Sequence, residues 1–349
     1  MRNMQLSRQK IRRIALILLV IATLAIRYVS HGGEFYALHV YPAVSYVLSL
    51  ISSICPWSLD EAIVIGWALA IIIYPFVAHR KGQKARQICG MEIEFCGWIF
   101  VWFYMGWGCN YYRDNIFTRA QVQPVEVDSV QLVDFLHKYT DNLNRSYVKT
   151  DETDKGKIEE EIKELYKDVP SHLGLALPHS FQKPKELIFN SLYSSVGVSG
   201  YMGPFACESH INEQILPYEY PFVYAHELSH LLGVSNEGEA NYWAYRICTK
   251  AKNKGIRYAG YYCILPNVAR TARTFLSDEE YSEWIKSIDA RILEDRKEHE
   301  QFWAEHLSPW ISDIQDYLFN LLLKSNRIYS GTKNYDTVVE MIISLEEQG

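Results

Sequence analysis

The first third of the chain contains three apolar runs that predict membrane-crossing helices, at residues 14–29, 62–78 and 95–109. A helix needs about 20 apolar residues to cross a hydrocarbon layer of roughly 30 Å. Each run is somewhat shorter, but aromatic and basic residues at its ends can reach the interface. A fourth apolar stretch, residues 39–57, contains two prolines and several serines. It is therefore interpreted as an interfacial or re-entrant piece.

Two clusters of basic residues favour one orientation of these runs. Arg and Lys are concentrated before the first run, at residues 2–13, and again between the second and third runs, at 80–86. Short loops rich in Lys and Arg stay in the cytoplasm. The chain is therefore predicted to be a multi-pass protein of the cell (inner) membrane, with a membrane domain at 1–113 and an extracytoplasmic domain at 114–349. A cleaved signal peptide is the alternative for the first run, but no A-x-A-like cleavage site follows it convincingly.

The rest of the chain has the pattern of one helix-rich α+β domain. Turn-forming residues between Pro170 and Pro217 separate short β-prone runs, and helical spacing dominates on both sides of this region. The predicted strands lie at 186–189, 195–201 and 205–215. The predicted helices lie at 129–147, 155–169, 222–232, 238–250, 278–306, 309–323 and 335–345.

Charge and cysteine content exclude several classes of function. The formal net charge is -6, so no basic excess indicates a nucleic-acid partner. Seven cysteines, without a close CxxC or CxxxC pair, argue against both a disulfide scaffold and a thiolate zinc site.

Residues 226–230 have the pattern HExxH inside an apolar helical stretch. Two histidines four residues apart on a helix point the same way, so His226 and His230 can hold one Zn²⁺. Glu227 lies one residue further round the helix and can act as general base on a water that the zinc acidifies. The alternative is a pair of ordinary core histidines, but a buried glutamate between them would be costly without a metal.

The third metal ligand is expected from the run Asn236 to Asn241, which offers Glu237 and Glu239 at the start of the next helix. Glu239 is preferred because it can face back across the turn, and the other carboxylate can then stabilise the helix N-terminus. Asn241 is a candidate hydrogen-bond partner for a metal ligand. The metzincin pattern would require a histidine at Asn236, so that class of site is excluded.

A predicted strand at 205–213 is expected to bind substrate backbone beside the motif helix. His210 in this strand is interpreted as structural. Four side chains are candidates for the donor that stabilises the tetrahedral oxyanion: Tyr242, Tyr245, Arg257 and Tyr258.

Nearly the whole chain resembles a family of bacterial multi-pass membrane proteins described as domain of unknown function 3810. The matching features are the three N-terminal runs, the WGCNYYR sequence at 107–113, the GPF sequence at 203–205, the block 226–241 and the stretch 331–339. That family is regarded as gluzincin-like, which implies zinc bound by two histidines and one glutamate, but it implies no substrate. The block 226–241 alone is also similar to zinc peptidases of the ImmA/IrrE type, where the glutamate of a Glu-Ala-Asn run completes the site; this implies Glu239.

The combined prediction is a membrane-anchored zinc metallopeptidase with a zincin-like domain after about three transmembrane helices. It would use Zn²⁺ as cofactor and have the lipid bilayer and a polypeptide substrate as partners. Two alternatives remain open. One is a non-catalytic sensor or scaffold protein stabilised by zinc, and the other is a zinc amidase that acts on the cell envelope.

Overall fold

The computed structural model describes residues 8–125, 127–149, 154–326 and 337–346. The N-terminal part consists of helices α1 (Arg8–Tyr28), α2 (Gly32–Phe35), α3 (Tyr41–Ser52), α4 (Leu59–Arg80) and α5 (Ala85–Gly106). A π-helical turn, Tyr36–Val40, joins α2 to α3. Gly32–Ser52 is therefore one continuous helical segment, here called the α2–α3 segment.

Among the described residues, three helices are long and apolar enough to cross a membrane: Gly32–Ser52, Leu59–Arg80 and Ala85–Gly106. The second contains the predicted run 62–78, and the third covers most of the run 95–109 but begins ten residues earlier. The predicted run 14–29 lies largely in α1, which is not among the three because five basic residues interrupt its apolar surface. The stretch 39–57, predicted as an interfacial piece, lies mostly in the α2–α3 segment. Many apolar side chains of α1 and α4 are exposed, as bilayer association requires.

The basic ends of the N-terminal helices lie at one end of the bundle. Helix α1 packs along α5, and Arg12 and Arg13 both pair with Glu94. The other end of α1 reaches the end of α5, where Arg27 contacts the Tyr112 hydroxyl at 3.4 Å. One basic cluster lies at the start of α1, and the other lies in the short turn between the end of α4 at Arg80 and the start of α5 at Ala85. Both clusters are therefore remote from the C-terminal end of α5.

The C-terminal part contains eleven further α-helices and one β-hairpin among the described residues. They are α6 (Ile116–Ala120), α7 (Ser129–Ser146), α8 (Lys155–Lys167), α9 (Asn190–Ser195), β1 (Gly200–Gly203), β2 (Glu208–Ile211), α10 (Tyr220–Leu231), α11 (Glu237–Thr249), α12 (Lys254–Phe275), α13 (Asp278–Ser287), α14 (Ala290–His306), α15 (Pro309–Ser325) and α16 (Val338–Glu346).

Most predicted helices are confirmed within a few residues, with two differences. The predicted helix 278–306 is two helices, because Ile288 and Asp289 adopt extended conformations and Asp289 caps α14. Helix α12 was not among the predicted runs, and Pro266 lies inside it. The start of the predicted helix 335–345 and most of the stretch 331–339 lie outside the described residues.

The sheet is a two-stranded antiparallel hairpin in which Tyr201 pairs with His210 and Gly203 with Glu208. On its other edge, β2 forms one isolated parallel bridge, in which His210 pairs with Lys185. Strand β1 is therefore the outer edge of this sheet within the described part of the chain. The strands are shorter than the predicted runs 195–201 and 205–215, and of the run 186–189 only Glu186 takes part in a bridge.

Helix α10 lies at the centre of the C-terminal part, between α8, α11, α12 and the hairpin. Nearly every residue of α10 is buried, and Tyr224, Ala225 and Leu228 have no exposed surface. The α2–α3 segment and the end of α5 join the same core through Tyr36, Tyr41 and Trp107. The membrane-proximal helices and the motif helix therefore share one continuous core.

Candidate metal centre

The sequence between α10 and α11 reverses the chain so that the two helix ends face each other. Helix α10 ends at Leu231, and Gly233 follows with φ +100°, a conformation that L side chains rarely adopt. Asn236 then caps α11 by accepting a hydrogen bond from the Glu239 amide at 2.8 Å. This short connection places Glu237, the first residue of α11, opposite the histidines of α10.

Three side chains converge with the spacing of a tetrahedral metal site. The Nε2 atoms of His226 and His230 are 3.1 Å apart. An oxygen of Glu237 lies 3.3 Å from the first and 3.4 Å from the second. Ligands about 2.05 Å from a tetrahedral zinc are separated by roughly 3.3 Å. The three atoms thus form one face of a tetrahedron of the size that zinc requires, with a fourth position open.

The hydrogen bonds of the two histidines fix which ring nitrogens point into this group. Nδ1 of His226 lies 2.9 Å from Oδ1 of Asn241, and Nδ1 of His230 lies 2.8 Å from the carbonyl of Val234. Both partners are acceptors, so each Nδ1 carries a proton and the Nε2 atoms of both rings face the carboxylate of Glu237. Asn241 was expected in this supporting position. Either a proton on His230 or a metal cation between the three atoms can offset the negative charge of Glu237.

Glu239, the preferred third ligand, is not in this group; the structure brings in Glu237 instead. The carboxylate of Glu239 pairs with the buried Arg119 and accepts a hydrogen bond from Trp243 at 3.0 Å. Arg119 also donates to the carbonyl of Leu173. The sequence could not separate the two glutamates because both are in the first turn of α11. The choice depends on Arg119, 120 residues away.

Glu227 is buried beside the group and lies against β1. One of its carboxylate oxygens, Oε2, has no hydrogen-bond partner among the described residues. A Cβ atom at Gly200 would lie 2.8 Å from the carbonyl oxygen of His210 and 2.9 Å from Cγ and Oε1 of Glu227, so only glycine fits between the hairpin and this side chain. Burial raises the pKa of Glu227. An unpartnered buried carboxylate of this kind can accept a proton from a water in the open position.

The opposite charges of the histidines and glutamates shift the pKa values of two members of the group. Burial alone would lower the pKa of His230, but the carboxylates of Glu237 and Glu227 raise it to about 9. Conversely, burial would raise the pKa of Glu237, and the two histidines hold it well below its usual range. Without a metal, the site compensates its carboxylates by binding a proton.

Three side chains outside the C-terminal part hold the end of α10. Tyr41 donates a hydrogen bond to the carbonyl of Leu231 at 2.8 Å, and Trp107 donates to the carbonyl of His230 at 3.0 Å. Arg113 donates to the carbonyl of Gly233 at 3.0 Å and pairs with Glu34. The last carbonyls of a helix lack the usual amide donors from the next turn, and these side chains add donors there; the His230 carbonyl also accepts from the Gly233 amide at 3.0 Å. Sequence reasoning missed these contacts, although Trp107 and Arg113 are the first and last residues of the WGCNYYR sequence.

The four candidate oxyanion donors are engaged elsewhere. The hydroxyls of Tyr242 and Tyr258 bond to Arg246 and Asp295, Arg257 donates to backbone carbonyls, and the Tyr245 ring packs against Tyr261. His210 is buried in β2, stacked on Tyr201 and 3.3 Å from Glu208. Burial and the charge of Glu237 raise the pKa of Tyr111, which therefore lies within electrostatic reach of the group.

Comparison with known proteins gives one match, which covers most of the chain. A family model described as "Protein of unknown function (DUF3810)" matches residues 36–343. Searches of curated proteins and of solved structures give no significant match. The matched range includes most of the α2–α3 segment, both of the following long apolar helices and the whole candidate metal centre. The chain therefore belongs to the DUF3810 family.

Proposed function

We propose that this protein is a membrane-embedded zinc metallopeptidase whose metal is held by His226, His230 and Glu237. The supporting observation is the triangle of two imidazole nitrogens and one carboxylate oxygen with edges of 3.1, 3.3 and 3.4 Å. Hydrogen bonds at Nδ1 orient both histidines with Nε2 toward the group, and zinc would displace the second proton of His230 from Nε2. Two histidines and a glutamate with an open fourth position form the ligand set of catalytic zinc sites.

Glu227 gives this site a use beyond structural stabilisation. Zinc bound there would act as a Lewis acid and bring the pKa of a water near 7. Glu227 would take a proton from the attacking water as its oxygen adds to the substrate carbonyl carbon, and would return this proton to the departing amine as the C–N bond breaks. A purely structural zinc site has four protein ligands and no need of this base. The buried, unpartnered oxygen of Glu227 therefore favours the catalytic alternative over a sensor or scaffold.

The free edge of β1 favours a polypeptide substrate over an envelope amide. An extended peptide can add to an open sheet edge through main-chain hydrogen bonds. Strand β1, which touches Glu227 at Gly200, has this edge, whereas the predicted binding strand at 205–213 corresponds to β2, which lies between β1 and Lys185. The proposed substrate-binding strand is therefore β1.

The bundle geometry supports the orientation expected from the charge pattern. Both basic clusters lie at the end remote from the metal centre, so a cytoplasmic position for them places the site on the extracytoplasmic side. In this arrangement α1, α4 and α5 cross the bilayer. The α2–α3 segment lies along the interface, because its contacts with the C-terminal part extend from Tyr41 to Ser52.

The first experiment is elemental analysis of the full-length protein, purified in detergent beside Glu227→Gln. Both proteins are expected to contain close to one zinc per chain, and only the wild type is expected to cleave unfolded polypeptides. The full chain is required because Tyr41, Trp107 and Arg113 hold the end of the motif helix. A folded wild-type protein that binds no zinc would refute the proposal.

A further inference from the structure

Strand β1 carries two residues whose backbone groups face away from β2. The amide of Asn212 donates to the carbonyl of Ser199 at 2.9 Å, and this fixes the hydrogen-bonded pairs of the hairpin. In an antiparallel ladder bonded pairs alternate with unbonded ones, so Tyr201 bonds to β2 while Gly200 and Met202 face outward. These outward groups can bind about three residues of an extended polypeptide.

One end of β1 is at the metal centre and the other lies on the tops of the membrane helices. Gly200 is against Glu227, whereas Gly203 is so close to Asp60, in the first turn of α4, that a Cβ atom would lie 2.6 Å from its carboxyl carbon. The amide of Phe205, just beyond β1, donates to Asp60 at 2.7 Å. From Gly200 to Gly203 is about 10 Å, since a strand rises roughly 3.3 Å per residue.

The same end of β1 adjoins an apolar groove between the membrane helices. Trp67 of α4 packs edge-on against Phe205 with ring centroids 4.7 Å apart, and Trp102 of α5 donates to the Phe205 carbonyl at 2.9 Å. Both tryptophans also line a cavity of about 850 Å³. Its other walls are almost entirely apolar and come from α1, α3 and α5, including Leu19, Val47, Leu48 and Phe95. Groove, strand edge and metal centre thus follow one another in space.

We infer that the substrate is a membrane-anchored polypeptide, cut within about six residues of the end of its own membrane helix; this rests on the proposed function. The anchoring helix lies against the groove, and the extended chain that leaves it pairs with β1 and reaches Glu227 after about 10 Å. Antiparallel pairing is the more stable arrangement. Because β1 runs from the metal toward the membrane, an antiparallel substrate runs from the membrane toward the metal, with its anchor N-terminal to the cut.

The test uses the full chain in lipid vesicles and three polypeptide libraries with the same twelve randomised residues. One library carries a 20-residue apolar helix before the randomised segment, one carries it after the segment, and one has no helix. The N-terminally anchored library is expected to be cut at least tenfold faster than the free one. Its cuts, mapped by mass spectrometry, should fall within about six residues of the helix and stay at this distance when spacers are inserted.

Each other outcome identifies what has failed. Equal cutting of the free library, or cuts spread evenly along the spacer, would overturn the membrane-anchored substrate and leave the peptidase proposal intact. Preference for the C-terminally anchored library would overturn the antiparallel direction. Absence of cutting in all libraries by a zinc-loaded protein would overturn the proposed function and this inference together.

A matched pair of variants tests the groove itself. Val47→Trp places a bulky side chain in the groove. Val64→Trp places the same side chain on an exposed face of α4, outside the groove. With zinc content unchanged, Val47→Trp is expected to lower the cutting of the anchored library at least tenfold, and Val64→Trp is expected to have little effect. Equal activity of the two variants on this library would show that the groove does not receive the anchor.

Discussion

Comparison of two variants, Glu237→Gln and Glu239→Gln, tests which glutamate binds the metal and which one stabilises the fold. The two residues are in the same turn of α11, Glu239 buried and Glu237 partly buried, but their carboxylates have different partners. Glu237 completes the group with His226 and His230, whereas Glu239 neutralises Arg119. Glu237→Gln is therefore expected to lose zinc and remain folded, and Glu239→Gln is expected to keep zinc and lose stability.

The size of each effect follows from the contacts. Binding of structural zinc supplies on the order of 10–16 kcal/mol shared among four ligands, so removal of one charged ligand costs about 3 kcal/mol or more, a 10²- to 10³-fold loss of affinity. Loss of one partner of a buried ion pair costs about 3–5 kcal/mol of folding free energy. Because Glu239 acts on the metal only through the position of α11, its replacement should weaken zinc binding no more than about tenfold.

The assay measures two quantities on each full-length variant. Competition with a chelator gives the zinc affinity, and chemical unfolding in detergent, with and without zinc, gives the free energy of unfolding. Zinc should stabilise the wild type and Glu239→Gln much more than Glu237→Gln. Retention of zinc by Glu237→Gln with its loss from Glu239→Gln would refute the ligand assignment, and equal loss from both would show that the position of α11 as a whole controls the site.

Four further outcomes are expected. Glu227→Gln should keep zinc and lose peptidase activity by about 10²- to 10⁴-fold; a variant that stays active would exclude Glu227 as the base. Because the pKa of His230 is raised to about 9, its bound proton stabilises the metal-free fold fully below about pH 6.5 and ceases to do so as the pH rises through 9. Chemical unfolding of chelated protein should show this decline, and zinc affinity should rise by up to tenfold per pH unit over the same interval; flat profiles would contradict the charge balance of the site. Tyr41→Phe should destabilise the protein by about 1–3 kcal/mol in the same unfolding assay, since it leaves a buried carbonyl without this donor, and an unchanged stability would show that other donors suffice. Gly200→Ala should displace the catalytic carboxylate and lower activity with zinc retained, whereas Gly66→Ala, where a Cβ meets nothing within 4 Å, should leave activity unchanged; equal activities would contradict the close approach of β1.

Local sequence patterns were sufficient for most helices of this protein. Helices α7 and α8 begin after capping aspartates, Asp128 and Asp154, and have apolar residues at helical spacing. The motif helix α10 was equally clear, because HExxH lies in an apolar run that ends before a glycine. These features act within a few residues of the chain, so the sequence alone reveals them.

Features that depend on distant contacts were not predictable in the same way. The position of Glu239 is set by Arg119 and Trp243, and the length of α5 was underestimated because Glu92 and Glu94 precede the aromatic run. Glu94 is tolerated in that helix because two arginines of α1 pair with it. In each case a buried charge is compensated by a partner about 80 to 120 residues away, and no local pattern carries that information.

The three hydrogen bonds that hold the end of α10 also restrict how this protein can change during evolution. Tyr41, Trp107 and Arg113 occupy carbonyls that a soluble enzyme would have to satisfy by residues of its own domain or by water. A gene that lost the N-terminal helices would therefore encode a damaged metal centre, and would need several compensating substitutions before it was useful. Members of this family are accordingly expected to gain or lose peripheral helices more readily than the segment from 32 to 113.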